Sequence, residues 1–356
     1  MNPATCSPDQ GWLSGGACTH YKITGCANAQ DLGVTINYVP ASPSKGTIVF
    51  FSGGAGTSAT TSAGLESTFA GAYNLAGYTT VQTAWDDDWE LTNIPGSNQP
   101  PVPPSILAAA CRPATLMYII SKSSLYHPSG AMCAQGASAG GGGVAYALVW
   151  YGAKSYLTNA ELPSAPPFAS ILKGCKVPNV GAVTICGSGQ YGCNNEYGTT
   201  GSWSNLPQYI DESLYLGSVQ EWVGGGTTGS ASCNNIGGTT TSSAANQNWL
   251  NTSIVNPSGG DFDFENYTSM AIWACAGPAS NYQPGTCGNV HCPNNSGAEA
   301  GWFGQQFSSS SHPTHYAFTG INGCNQEEGV SGTDATTPNG MAGMTAIQQD
   351  MMTYCQ

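Results

Sequence analysis

A strand that runs into a helix with no loop between them narrows the folds open to this chain more than any other feature. The segment is GAMCAQGASAGGGGVAYALVWY, residues 130–151. Residues 130–138 predict a strand, and a helix is expected from about Ala139 to Tyr151. So abrupt a join needs a sharp turn, and the turn falls on G-A-S-A-G, residues 136–140, which fits the pattern G-x-S-x-G. Sterics explain the spacing. Gly136 and Gly140 remove side chains that would collide, and the Ser138 hydroxyl is then held out at the carboxyl end of a sheet. The backbone N–H of Ala139, at the helix N-terminus, can point at a developing oxyanion.

The surrounding pattern predicts an α/β sheet with parallel crossovers. Residues 18–26 and 33–41 alternate, as half-buried strands do, whereas GTIVFFSGG (46–54) is a continuous apolar run expected of a strand buried on both faces. A helix is expected over 62–78, a strand over 79–90 ending in the acids of WDDDWE, and a helix over 106–122 after a proline-rich connector. Beyond the serine turn, strands are expected within 156–169, 269–277 and 315–321, with a methionine-rich helix over 340–353. Residues 170–265 change character, being rich in Gly, Thr, Asn and Ser with four cysteines. We expect a core of residues 1–169 and 266–356 carrying a disulfide-stitched cap or insertion over 170–265.

A second glycine cluster, FFSGGAGTS (50–58), ends the buried strand upstream of the serine turn. With both segments in view, the chain resembles the α/β-hydrolase family of secreted serine esterases and polyester hydrolases. The resemblance implies that the second oxyanion donor comes from the glycine cluster, where Ser52 stands at the family's usual histidine. The donor is then the N–H of Gly54, with Gly53 as second choice. It also implies a carboxylic ester substrate and an acyl-enzyme on Ser138, with no cofactor and no metal. Trp85 and neighbouring aromatics are candidates to line a cleft for a small, aromatic or polymeric ester, or else belong to the core.

The proton acceptor departs from the family pattern. The loop after the last strand, NGCNQEEGVSG (322–332), holds no histidine, and Asn325 or Gln326 stands in its place. Of the five histidines, His127, His312 and His315 precede strands and so fall at the amino edge, and His20 lies in the first strand, expected at the sheet edge. His291, after the penultimate strand, alone sits on a loop expected at the catalytic edge. The expectation is a swapped triad: His291 as base, with Glu327 or Glu328 orienting it. The carboxylates Asp86 to Asp88 also follow a strand toward that edge, where three adjacent acids could hold a cation, shape a pocket or simply face water.

Composition limits partners and compartment. Net charge is −13 with one arginine and six lysines, which disfavours nucleic acid and anionic membrane, and no apolar run is long enough to span a bilayer. Fourteen cysteines without any C-x-x-C predict disulfides in an oxidising compartment rather than a zinc site. The start MNPATCSPDQ lacks a basic n-region and an apolar h-region, as expected of a mature secreted form after signal removal. The missing histidine leaves a second expectation open, a catalytically inactive binding protein of the same fold. A third is a carbohydrate-binding or structural protein, which requires an all-β fold.

Overall fold

The computed structural model of the chain describes residues 2–3, 6, 11–53, 56–59, 65–102, 106–137, 139–163, 264–275, 315–321 and 338–356. Nine strands are seen among them: β1 (Asn2–Pro3), β2 (Ala17–Ile23), β3 (Leu32–Val39), β4 (Gly46–Phe51), β5 (Thr79–Trp85), β6 (Ala131–Gly136), β7 (Asn159–Pro163), β8 (Ser269–Cys275) and β9 (Tyr316–Ile321). The helices are α1 (Leu65–Leu75), α2 (Ile106–Lys122), α3 (Ala139–Trp150) and α4 (Pro338–Tyr354). The strands form one sheet in the order β1-β2-β3-β5-β4-β6-β7-β8-β9. The pairs from β5 through β9 are parallel, whereas β1, β2 and β3 add antiparallel at one side.

Side-chain alternation along the central strands builds two cores. In β4, Ile48 and Phe50 face α1 and α4 with Phe69, Tyr73, Ile347 and Met351, while Val49 and Phe51 face α2 and α3 with Met117, Val144 and Leu148. β6 divides in the same way, with Cys133 on the first side and Met132 and Ala134 on the second. A strand covered on both faces has no side that tolerates polar residues, and this is why GTIVFF shows no alternation. Among the described residues three disulfides are seen: Cys6–Cys18, Cys26–Cys111 from the loop after β2 to α2, and Cys133–Cys355 from β6 to the residue after α4.

The connections place a crevice. From β4 the chain crosses to β5 on one side, then returns past β4 to β6 on the other. The loops leaving β4 and β6 therefore diverge at the carboxyl edge, the switch point where open α/β sheets bind ligands. Phe264, just before β8, is buried in the α2/α3 core. The remainder of the 170–265 insertion lies outside the described residues.

Candidate active site

Two backbone segments meet at the switch point. Phe51 and Gly136 are register partners at the ends of β4 and β6. One residue further, the Ala137 N–H donates to Phe51 O at 3.1 Å, so the pairing persists into the turn. Ala137 O then accepts from the N–H groups of Gly140 (2.8 Å) and Gly141 (3.4 Å), which starts α3 at once. A β-carbon at Gly136 would lie 2.5 Å from Gly140 O, and one at Gly140 would lie 2.7 Å from Ser52 O, with the Phe51 carbonyl nearer still. A side chain at Gly136 would strike the first turn of α3, and one at Gly140 would push that turn off the β4 exit. Ala139 is fully buried as the first residue of α3, where the helix leaves its N–H groups without intrahelical acceptors. Ser138 itself lies outside the described residues, as do Gly54, His291, Glu327 and Glu328.

The loop after β4 is held by three bonds that its residue types make possible. Ser52, nearly buried, donates from Oγ to Ser58 O at 2.5 Å and so closes the neck of the loop. The Gly56 N–H donates to Gly53 O at 3.3 Å, and the Trp85 N–H donates to Gly56 O at 2.8 Å. Gly56 has φ +69°, and a β-carbon there would lie 2.8 Å from Trp85 Cδ1. The residue in the family's histidine position thus has a mechanical part, and Trp85 is the wall against which the loop is set. Trp85 is 3% exposed and packs in the core, so the aromatic proposed for substrate is first a packing residue. It nevertheless lines an open cleft of about 390 Å3 together with Trp12, Thr57, Ser58 and Asp86.

The acids after β5 diverge instead of converging on a cation. β5 stops at Trp85, short of the expected Glu90, and the carboxylates of Asp86, Asp87 and Asp88 each take a separate bond. Asp86 reaches His20 Nε2 at 2.9 and 3.1 Å. Asp87 Oδ1 accepts from the Asp88 N–H at 2.7 Å, and Asp88 Oδ1 accepts from the Glu90 N–H at 2.9 Å. Among the described residues no three His, Cys, Asp or Glu side chains are grouped to hold a metal ion. The turn is clamped from beneath by Arg112, the sole arginine, which is fully buried in α2. Its guanidinium donates to Gln30 O at 2.5 and 2.9 Å, to Trp89 O at 2.9 Å, to Thr92 O at 3.3 Å and to Leu91 O.

The histidines fall as follows. His127 sits at the amino edge with Nδ1 3.3 Å from Thr47 Oγ1, and burial lowers its pKa. His315 precedes β9, 3.3 Å from Asp350 and stacked on Tyr354. His20 is one strand further in than expected, because Asn2 pairs with it from β1. It reaches the carboxyl edge, but four strand positions separate β2 from β6, about 19 Å at the usual spacing. The Ser138 turn is thus out of its reach. The chain leaves β8 at Cys275 and β9 at Ile321, both at the carboxyl edge, on the way to His291 and to the Glu327–Glu328 pair respectively.

One buried acid was not singled out from the sequence. Glu161 lies fully buried in β7, level with Gln135 of β6. Its carboxyl accepts from Asn159 Nδ2 at 2.8 Å and Trp273 Nε1 at 2.5 Å. Loss of solvent first, and then the neighbouring Asp350 carboxyl, push its pKa well above the usual carboxylate range. The signal was present: a charge inside a short apolar strand, NAELP, in a chain with few charges.

A mostly parallel sheet with helices on both faces, and a small-residue strand-to-helix turn beside a glycine loop at its switch point, define the α/β-hydrolase fold. Among solved structures the chain is similar to a bacterial heroin esterase at 12% identity and TM-score 0.51, over 96% of this chain and 86% of that one. It is likewise similar to carboxyl esterase 2 from the mycorrhizal fungus Tuber melanosporum at 11% identity and TM-score 0.52, over 96% and 87%. No protein-family model matches the sequence, and no curated protein matches it. The strand–helix alternation sets aside the all-β alternative.

Proposed function

We propose that the chain is a secreted serine hydrolase of carboxylic esters. The Ser138 hydroxyl attacks the ester carbonyl while His291 takes its proton, and Glu327 or Glu328 holds the imidazole in the right tautomer. The oxyanion that forms is met by the N–H groups of Gly54 and Ala139. The alcohol leaves with the proton from His291, and water then releases the acyl group by the same steps in reverse. The observation that carries this reading is the backbone abutment at Gly140, which sets the start of α3 against Phe51 and Ser52 of the β4 exit. The esterase activity of structural neighbours supports the reaction class, and the three disulfides support an oxidising destination.

The test is a fluorophosphonate probe with mass-spectrometric mapping, run beside turnover of p-nitrophenyl acetate. Labelling is expected at Ser138, and Ser138→Ala is expected to lose labelling and at least about a thousandfold in kcat/KM. Folded protein that neither labels nor turns over would overturn the proposal. His291→Ala separates the swapped triad from any other base, since it too must lose most of the activity.

A further inference from the structure

The cleft beside Trp85 is a built cavity that the proposed chemistry does not use. Trp12, Thr35, Thr57, Ser58, Trp85 and Asp86 line it, and its volume of about 390 Å3 falls in the range of small-molecule sites, about 300–1,000 Å3. Both indoles are nearly buried, so they form walls and do not project. The polar groups lie on the open side: Thr57 and Ser58 are exposed, and the Asp86 carboxyl is 51% exposed while it holds His20. The cleft opens at the carboxyl end of β5 and the amino end of β3, two and three strand positions from β6, or about 10–15 Å from the serine turn. Its Thr57–Ala59 wall continues the loop that leaves β4.

We propose that this cleft binds a neutral oligosaccharide chain, the glycan portion of an acylated polysaccharide. The occupant's chemistry follows from hydrogen-bond inventory. A carboxylate only accepts, and His20 supplies one ring nitrogen to its roughly four acceptor sites. The remaining sites call for a ligand with donors. A polyester backbone has none. An ammonium only donates and offers the Thr35 and Thr57 O–H groups no acceptor of its own. A polyanion meets Asp86 and a net charge of −13. Sugar hydroxyls donate and accept alternately, which fits a lining of one carboxylate and three hydroxyl side chains. The assignment of this glycan as substrate rests on the hydrolase reading above, but its binding does not.

The experiment therefore measures binding without turnover. Unacylated neutral hexasaccharides of xylose, glucose and mannose are titrated calorimetrically into wild-type protein and Ser138→Ala. At least one is expected to bind both with a Kd of about 1 mM or tighter. Asp86→Asn is expected to weaken it about tenfold, and Thr57→Val, on an exposed loop, about threefold. Overturning results are no binding by any of the three, binding unchanged in both variants, or binding only of a hydroxybutyrate oligomer. Ser138 labelling, read separately, tells failure of the hydrolase reading from failure of the cleft.

Discussion

Gly140 is where one missing side chain has the largest consequence. A methyl group there meets carbonyl oxygens of Phe51 and Ser52, backbone atoms that cannot rotate away. Gly140→Ala is expected to lower stability by about 1–3 kcal/mol, the usual range for overpacking. Probe labelling of Ser138 should fall further than the loss of folded protein explains, because the turn and the β4 exit part together. Urea unfolding and labelling on the same samples check this. Arg112 is the opposite case, a side chain whose removal strands its partners. Arg112→Ala removes the guanidinium donor from the carbonyls of Gln30, Trp89 and Leu91 inside the core, while Thr92 O keeps the Gln30 N–H at 2.9 Å. A loss of about 3 kcal/mol or more is expected in denaturant midpoints. Arg112→Lys should recover only part of it, since an ammonium lacks the planar fork. Nothing in the sequence around Arg112 foretold this. Helix 106–122 is legible from its apolar spacing, but which carbonyls crowd against it depends on the fold of the β5 exit loop.

At the scale of elements, α2 and the antiparallel strands are joined by Cys26–Cys111, a separation of 85 residues. Chain-entropy arguments assign such a crosslink about 4–5 kcal/mol through restriction of the unfolded state. Cys26→Ser with Cys111→Ser is therefore expected to lower the thermal midpoint strongly while leaving the β4–β6 crevice intact. Calorimetry, with p-nitrophenyl ester turnover at low temperature, checks both halves. The elements themselves were largely visible in advance. The helices at 106–122 and from Ala139, and the strands at β4, β6 and β8, follow from apolar runs bounded by Gly and Pro. The segment 79–90, expected as one strand, is a strand only as far as Trp85. Its last five residues are acidic or aromatic, and Asp87 and Asp88 bond their own chain in a turn instead of a neighbouring strand.

For the whole molecule, Glu161 couples the sheet to α4. The groups facing it are Asn159 beside it, Trp273 on β8, Asp350 on α4 and the Tyr73 ring from α1, with His315 behind Asp350. Burial makes the folded state favour the protonated carboxyl, so its pKa is higher folded than unfolded. The resulting stabilisation is present in full below the ordinary carboxylate range and is lost as pH rises through the raised value. Stability should accordingly decline from acid toward alkaline pH. Glu161→Gln should flatten that decline, keeping a neutral side chain that accepts from Trp273. Urea midpoints across the range measure both, and a wild-type profile as flat as that of the variant would refute the assignment.

Residue types and their spacing alone determined that this chain builds an α/β sheet with a serine on a strand-to-helix turn. Both are local consequences, of two-sided burial in one case and of steric room in the other. Periodicity and small side chains record them directly. The tertiary structure decided what lies next to what. It showed that Gly140 rests on the β4 exit, that Ser52 braces the loop in a place where a histidine was the family pattern, and that Asp86 turns to His20. It also showed that Trp85 is a wall before it is a contact. Apart from the Ser52 brace, these pairings join residues tens of positions apart, and only the closing of the sheet brings them together.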